Sequence, residues 1–184
     1  MTDYFALLDQ ARAPWLDSEA LKQVFHGRTR HAHPDTRTAH DGDAAFAQLN
    51  EAYQVLRDPK RRLQHLLSLR GETPASQGAR IPADVERLFP AVAGLTRQAD
   101  AVLAKIAAST SALSRSLAQP ELLRTRADLE GMLDHVRELH RNAEEELRTV
   151  EENATARLQQ LYLRFSYLGR WIAELEEKLL RLST

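Results

Sequence analysis

Leu158, Leu161, Phe165, Leu168, Ile172, Leu175, Leu179 and Leu182 recur at alternating steps of three and four residues. Sustained over that length, the alternation draws one apolar seam along one long helix, the kind of seam shared by helices packed nearly antiparallel. Nothing interrupts it, because the last 64 residues contain no proline. The same period marks two helices upstream. Leu129, Leu133, Val136, Ala143, Leu147 and Val150 form one stripe, with polar His140 on it. Val85, Leu88, Val92, Leu95, Ala99, Val102 and Ile106 form the other, with Pro90 either starting or kinking that helix. Pro120 reads as a helix restart, and "EENAT" at 151–155 as the break before the last helix. Three helices of roughly 30 residues, each about 45 Å long, predict an antiparallel three-helix bundle over 84–184.

The chain before the bundle is punctuated more densely. "DYFALLDQ" predicts a short helix offering Tyr4, Phe5, Leu7 and Leu8 to a core. Asp17 is placed to cap a second helix, with Leu16 stapled onto Leu21 and an apolar stripe of Leu21, Val24, Phe25 and Ala32. Pro34 ends it, since the residue before a proline avoids the α region. Residues 36–43 are polar and read as a loop. A third helix follows, with Phe46, Leu49, Tyr53 and Leu56 facing inward. Asp58-Pro59 breaks it, and "KRRLQHLLSL" makes a short fourth helix stopped by Gly71, with Arg61 and Arg62 read as solvated. "GETPASQGARIP" at 71–82 is too rich in glycine, proline and small polar residues to bury much. The expected organisation is therefore a domain over 1–72, a linker over 73–83 and the bundle over 84–184. No stretch alternates as a strand does, so the fold class is all-α.

Composition narrows the function. With no cysteine among 184 residues, disulfides, thiolate metal sites and cysteine nucleophiles are excluded. A formal charge of −1 weighs against a nucleic-acid partner. No apolar run is long enough for a membrane span and the amino terminus has no secretory pattern, so a cytoplasmic protein is the default expectation. Neither a phosphate-binding glycine loop nor a set of nucleophile, base and orienting group is present, which predicts no catalytic residues. "EEE" at 144–146 reads as an exposed face, and Trp171 as packing.

"RTRHAHPDT" at 28–36 has two readings. His31, His33 and Asp35 have H-x-H-x-D spacing, which can hold zinc or iron. The metallohydrolases that use it, resembling the metallo-β-lactamase family, place it after a strand and add further ligands. Here it ends a helix, and His26, His40, His65, His135 and His140 lie at mostly unrelated positions. The other reading is a stiff turn: Pro34 fixes its own φ and restricts His33, leaving Asp35 to offer a carboxylate to a partner arginine. The turn is the stronger reading, so no metal and no cofactor are expected.

"DYFALL", "LKQVF", "HPD" and "NEAYQVLRDPKRR", in that order and spacing, resemble the J-domain family, co-chaperones of DnaK-type heat-shock chaperones. The resemblance implies that His33, Pro34 and Asp35 dock on the chaperone's ATPase domain and stimulate hydrolysis. Lys22, His26 and Arg30, four apart, form a face running toward that turn; in the family this face is basic and steers onto an acidic chaperone surface. The chain departs from the family pattern at Arg28, where a core leucine is usual, at Ala32, where tyrosine is common, and at Thr36.

No Gly/Phe-rich linker or zinc module follows. "LQHLLSLRGE" leads instead into the bundle ending "LRFSYLGRWIAELEEKLL", an order that looks like the HscB-type co-chaperones of iron–sulfur cluster assembly. That resemblance implies an L-shaped arrangement, an HscA-like chaperone partner, and an IscU-like scaffold protein bound on the bundle. By position, Leu88, Phe89 and Val92 match the family's apolar scaffold patch, and Tyr167 its aromatic on the last helix. Ala93 and Thr96 stand where the family has acids, and Asp100 remains. The expected function is an adaptor, not an enzyme. The alternatives are a J-protein serving another client and a helical structural protein whose HPD does not function.

Overall fold

The structure, a computed structural model, describes residues 1–31, 39–75, 80–151 and 154–183, with the backbone alone at 31 and 39–43. Among the described residues all regular structure is α-helical: α1 (Tyr4–Leu7), α2 (Ser18–His31), α3 (Ala39–Arg57), α4 (Pro59–Leu69), α5 (Ala83–Glu86), α6 (Phe89–Ala107), α7 (Ala112–Leu147) and α8 (Thr155–Arg181). The chain divides into two compact units. One holds Met1–Ala79 together with Glu144–Tyr162, the other Arg80–Ala143 together with Leu163–Thr184. This differs from a boundary drawn along the sequence, because the end of α7 and the start of α8 belong with the amino-terminal helices.

In the first unit the helix ends follow the capping chemistry. Asp17 Oδ1 accepts from the amides of Glu19 and Ala20, both at 2.9 Å, opening α2. Asp58 Oδ1 accepts from the Arg61 amide at 2.8 Å, with Pro59 in the first turn of α4. Gly71 closes α4 at φ +75°, and the Glu72 amide reaches back to the Leu67 carbonyl. The buried residues include Phe5, Leu8, Leu21, Leu49, Ala52, Leu56, Leu63, Leu66 and Leu67, with Leu147, Leu158 and Leu161 from the added segment.

Two expectations fail here. α3 begins at Ala39, so 39–43 is helix and not loop. Phe46 is 49% exposed. The buried stripe of α3 steps back from Leu56 through Ala52 and Leu49 to half-buried Ala45, which turns Phe46 outward.

The second unit is the expected bundle, built from α6 and most of α7 and α8. Cross-helix contacts give its direction. Lys105 meets Glu121, and Gln98 donates to Thr125 at 3.0 Å, so α7 runs against α6. Arg137 meets Glu176 and His140 meets Phe165, so α8 runs against α7; Asp84 meets Arg164 and Asp100 meets Lys178, so α8 runs with α6. The core holds Val85, Val92, Ala99, Val102, Leu129, Leu133, Val136, Leu168, Trp171, Leu175 and Leu182. Each fully buried leucine contributes about 1.5–3 kcal/mol relative to exposure. Pro90 starts α6 and does not kink it. Pro120 does not restart a helix but lies inside α7. Its missing amide leaves the carbonyl four residues back, on Ser116, without its usual helical donor; both residues are exposed, so that carbonyl is open to solvent.

Candidate functional site

His33, Pro34 and Asp35, and the side chain of His31, lie outside the described residues, as does Ala32. What the structure describes is the helix that leads to them. Lys22, His26 and Arg30 are all exposed, at the four-residue spacing that keeps them on one face of α2. The flank of the helix beside them is pinned. Phe25 stacks on Tyr53 of α3 with centroids 4.4 Å apart and an interplanar angle of 15°, and the Arg57 guanidinium lies 5.8 Å from the same ring. Such a pair adds about 0.5–1.5 kcal/mol to the burial itself. The charge of Arg28 goes to Asp9, which pairs with it just after α1. Asp9 has φ 49°, a conformation that aspartate tolerates better than most residues. An arginine at a position where the family has leucine is thus tied down at the edge of α1.

Behind this face sits Arg62, expected to be solvated but 5% exposed. Its Nε donates to the Pro14 carbonyl at 2.8 Å and its Nη1 to the Leu56 carbonyl at 2.7 Å. The first carbonyl belongs to the connection before α2, the second to the last turn of α3, so one side chain ties three elements. Burial lowers its pKa to about 10 against the opposing pull of Glu144 and Asp58. Arg148, from the same added segment as Glu144, lies 5.0 Å over the Trp15 ring. Thr155 donates to Glu72 at 2.8 Å, and Gln159 donates to the Thr73 carbonyl at 2.9 Å. Of "EEE", only Glu145 is exposed, and it pairs with Arg148; Glu144 and Glu146 are half-buried, and Glu146 pairs with Arg157.

In the second unit the residues proposed for a client fall into two groups. Phe89 and Tyr167 are half-buried and meet edge to face at 5.2 Å; Phe89 also meets Trp171 at 5.0 Å. The Arg170 guanidinium lies 5.4 Å from the Tyr167 ring. Leu88, also half-buried, packs beside them. Val92 is 2% exposed and belongs to the core, so it is not available to a partner. The reason is its seam position, between Val85 and Ala99. Thr96 is 8% exposed, so an acid there would face the packed interior. Asp100 is engaged by Lys178 at 2.5 Å. Trp171, read as packing, is 3% exposed and forms the floor of the aromatic group.

Residues 3–65 match the family model of the DnaJ domain. The chain is 40% identical over 76 residues to the Shewanella sp. (strain W3-18-1) "Co-chaperone protein HscB homolog", covering 38% of this chain and 43% of that one. It is 38% identical over 76 residues to the corresponding protein of Azoarcus sp. (strain BH72), covering 38% and 42%. A "Chaperone protein DnaJ" of Roseiflexus sp. (strain RS-1) matches at 40% over 60 residues, 33% of this chain and 16% of that one. These matches span less than half the length of each relative. Among solved structures, chaperone HscB from Vibrio cholerae superposes with a TM-score of 0.52 at 23% identity, covering 97% of this chain and 99% of that one. Human co-chaperone protein HscB gives 0.59 at 17%, covering 97% and 82%. At these identities the likeness is one of fold. Residues 3–65 thus match a DnaJ domain, and among the described residues the fold is all-helical.

Proposed function

We propose that the chain is an HscB-type J-protein, a co-chaperone that carries a client on its bundle and stimulates the ATPase of a DnaK-type, HscA-like chaperone. The observation that carries this reading is the joint presence of a matched J-domain, an HPD at 33–35, and an α2 on which Lys22, His26 and Arg30 are exposed along one face. An exposed basic face accelerates encounter with an acidic partner and orients it. The protein then acts as an adaptor and not as an enzyme, and needs no metal or cofactor. The test is single-turnover ATP hydrolysis by the chaperone. Wild-type protein accelerates it and Asp35→Asn does not; no acceleration by wild type refutes the reading.

For the client, the reading is an IscU-like iron–sulfur scaffold, seated on Leu88, Phe89 and Tyr167. Their partial exposure in one place supports this, and calorimetry against the scaffold with Phe89→Ala tests it. A J-protein serving another client is the second reading. Its support is Ala93 and Asp100: the first has no charge, and the second is already paired within the bundle.

A further inference from the structure

His65 of α4 is 7% exposed and serves no role in the proposed function. Its Nε2 accepts the backbone amide of Tyr4 at 3.1 Å, the first residue of α1. The ring lies against Tyr4, with centroids 4.6 Å apart, and against Phe5, at 5.7 Å. An imidazole nitrogen that accepts must be unprotonated, so the neutral ring carries its proton on Nδ1. Protonation would set one N–H against another and place a cation in a packed site. We propose that His65 is an acid-sensitive clasp on α1, holding the first turn of the J-domain while neutral and releasing it when charged.

The surroundings favour release. Burial lowers the His65 pKa; Asp3 opposes this and Arg12, with a smaller effect than Asp3, reinforces it. Against the Tyr4 phenol stand Glu51 of α3 and Arg61 of α4. Asp3 also caps α1, accepting from the Phe5 and Ala6 amides at 3.0 and 3.2 Å. Burial works against its carboxylate, but Arg12 and those amides hold the Asp3 pKa below 3.8, so the cap titrates in a separate, more acid window. The sign for His65 follows from linkage. The unfolded segment binds its proton near 6.5 and the folded one lower, so α1 is fully held above about 6.5 and loosens as pH falls below it, by at most about tenfold per pH unit. Asp9, just beyond α1, is the partner of Arg28 on α2, so loosening α1 also weakens one exposed contact of the helix that leads to His33, which Leu21 and the Phe25–Tyr53 stack still hold.

The test is amide hydrogen exchange and nitrogen-15 NMR on the full chain from pH 7.5 to 5.0, corrected for intrinsic exchange. In wild type, protection at Tyr4 and Phe5 falls about tenfold while the bundle amides stay unchanged. In His65→Gln, which keeps an acceptor but does not titrate, protection is flat. Equal profiles in the two proteins overturn the proposal. So does a wild-type His65 whose Nδ1-protonated form is absent at pH 7.5, a reading that needs no variant. The clasp also makes stimulation of the DnaK-type ATPase fall with acid more in wild type than in His65→Gln. That arm alone rests on the co-chaperone reading; absent stimulation at every pH would refute that reading and leave the exchange result to decide the clasp.

Discussion

Replacing Arg62 by methionine keeps a long apolar stem and removes the fork that holds the Pro14 and Leu56 carbonyls. Two competing effects set the outcome. Each stranded carbonyl costs about 1–3 kcal/mol when buried, or about 2–6 for both. Against this stands the cost of keeping a cation in the interior. Burial lowers the pKa to about 10, and at 1.36 kcal/mol per pH unit that lowering amounts to about 3 kcal/mol. Relief of that cost is the upper limit of what methionine recovers, so from the middle of the range a net loss of about 1 kcal/mol or somewhat more is expected. The two tryptophans separate the units: Trp15 stands in the first and Trp171 in the second. Urea unfolding followed by fluorescence in a Trp171→Phe background therefore reads the first unit through Trp15. With a slope of about 2 kcal/mol per molar urea, the midpoint falls by about 0.5 M. Arg62→Lys keeps the charge without the planar fork and is expected to be no better than methionine. An unchanged or raised midpoint for Arg62→Met refutes the reasoning, since the desolvated charge would then outweigh the bonds it makes.

Gly71→Ala places a Cβ at φ +75° with no heavy atom within 4 Å of it, so its cost is backbone conformation alone, about 1 kcal/mol, read as a lower midpoint of the Trp15 transition. Leu129→Ala, at 0% exposure in the bundle, is expected to cost about 2–5 kcal/mol and to shift the Trp171 transition while leaving that of Trp15 in place. Coincident shifts of both probes would show that the two units do not unfold separately.

The elements legible in the sequence were those written in side-chain chemistry. Asp17, Asp58-Pro59 and Gly71 mark helix ends because a carboxylate, a fixed φ and a missing Cβ each act locally, and all three act as expected. The bundle seam was legible for the same reason. What the seam does not carry is the identity of the surface that covers it. Ala143 and Leu147 lie on one seam, that of α7, and Leu158, Leu161 and Phe165 on another, that of α8, yet Leu147, Leu158 and Leu161 belong to the first unit and Ala143 and Phe165 to the second. Periodicity states that a face is buried and is silent about its partner. Phe46 was misplaced because a step of three to Leu49 fits a helix as well as the step of four from Ala45, and the smaller residue won the inward position.

Arg62 and His65 show a limit of a different kind. Both occupy inward positions of α4, beside Leu63, Leu66 and Leu67, so the period marks them as buried. The residue type of Arg62 pointed the other way, toward solvent. What reconciles the two signals is the nature of the partners. Arg62 bonds carbonyls of Pro14 and Leu56, and His65 bonds the amide of Tyr4. Every partner is a backbone group, and two of them lie 48 and 61 positions away in the chain. Such groups occur at nearly every residue and carry no letter of their own. A polar residue on an apolar stripe therefore signals a backbone partner or a buried charge partner, and the absence of any acid from α4 itself favours the backbone. By that argument Arg62 and His65 were readable as polar anchors, while the loops they anchor were not.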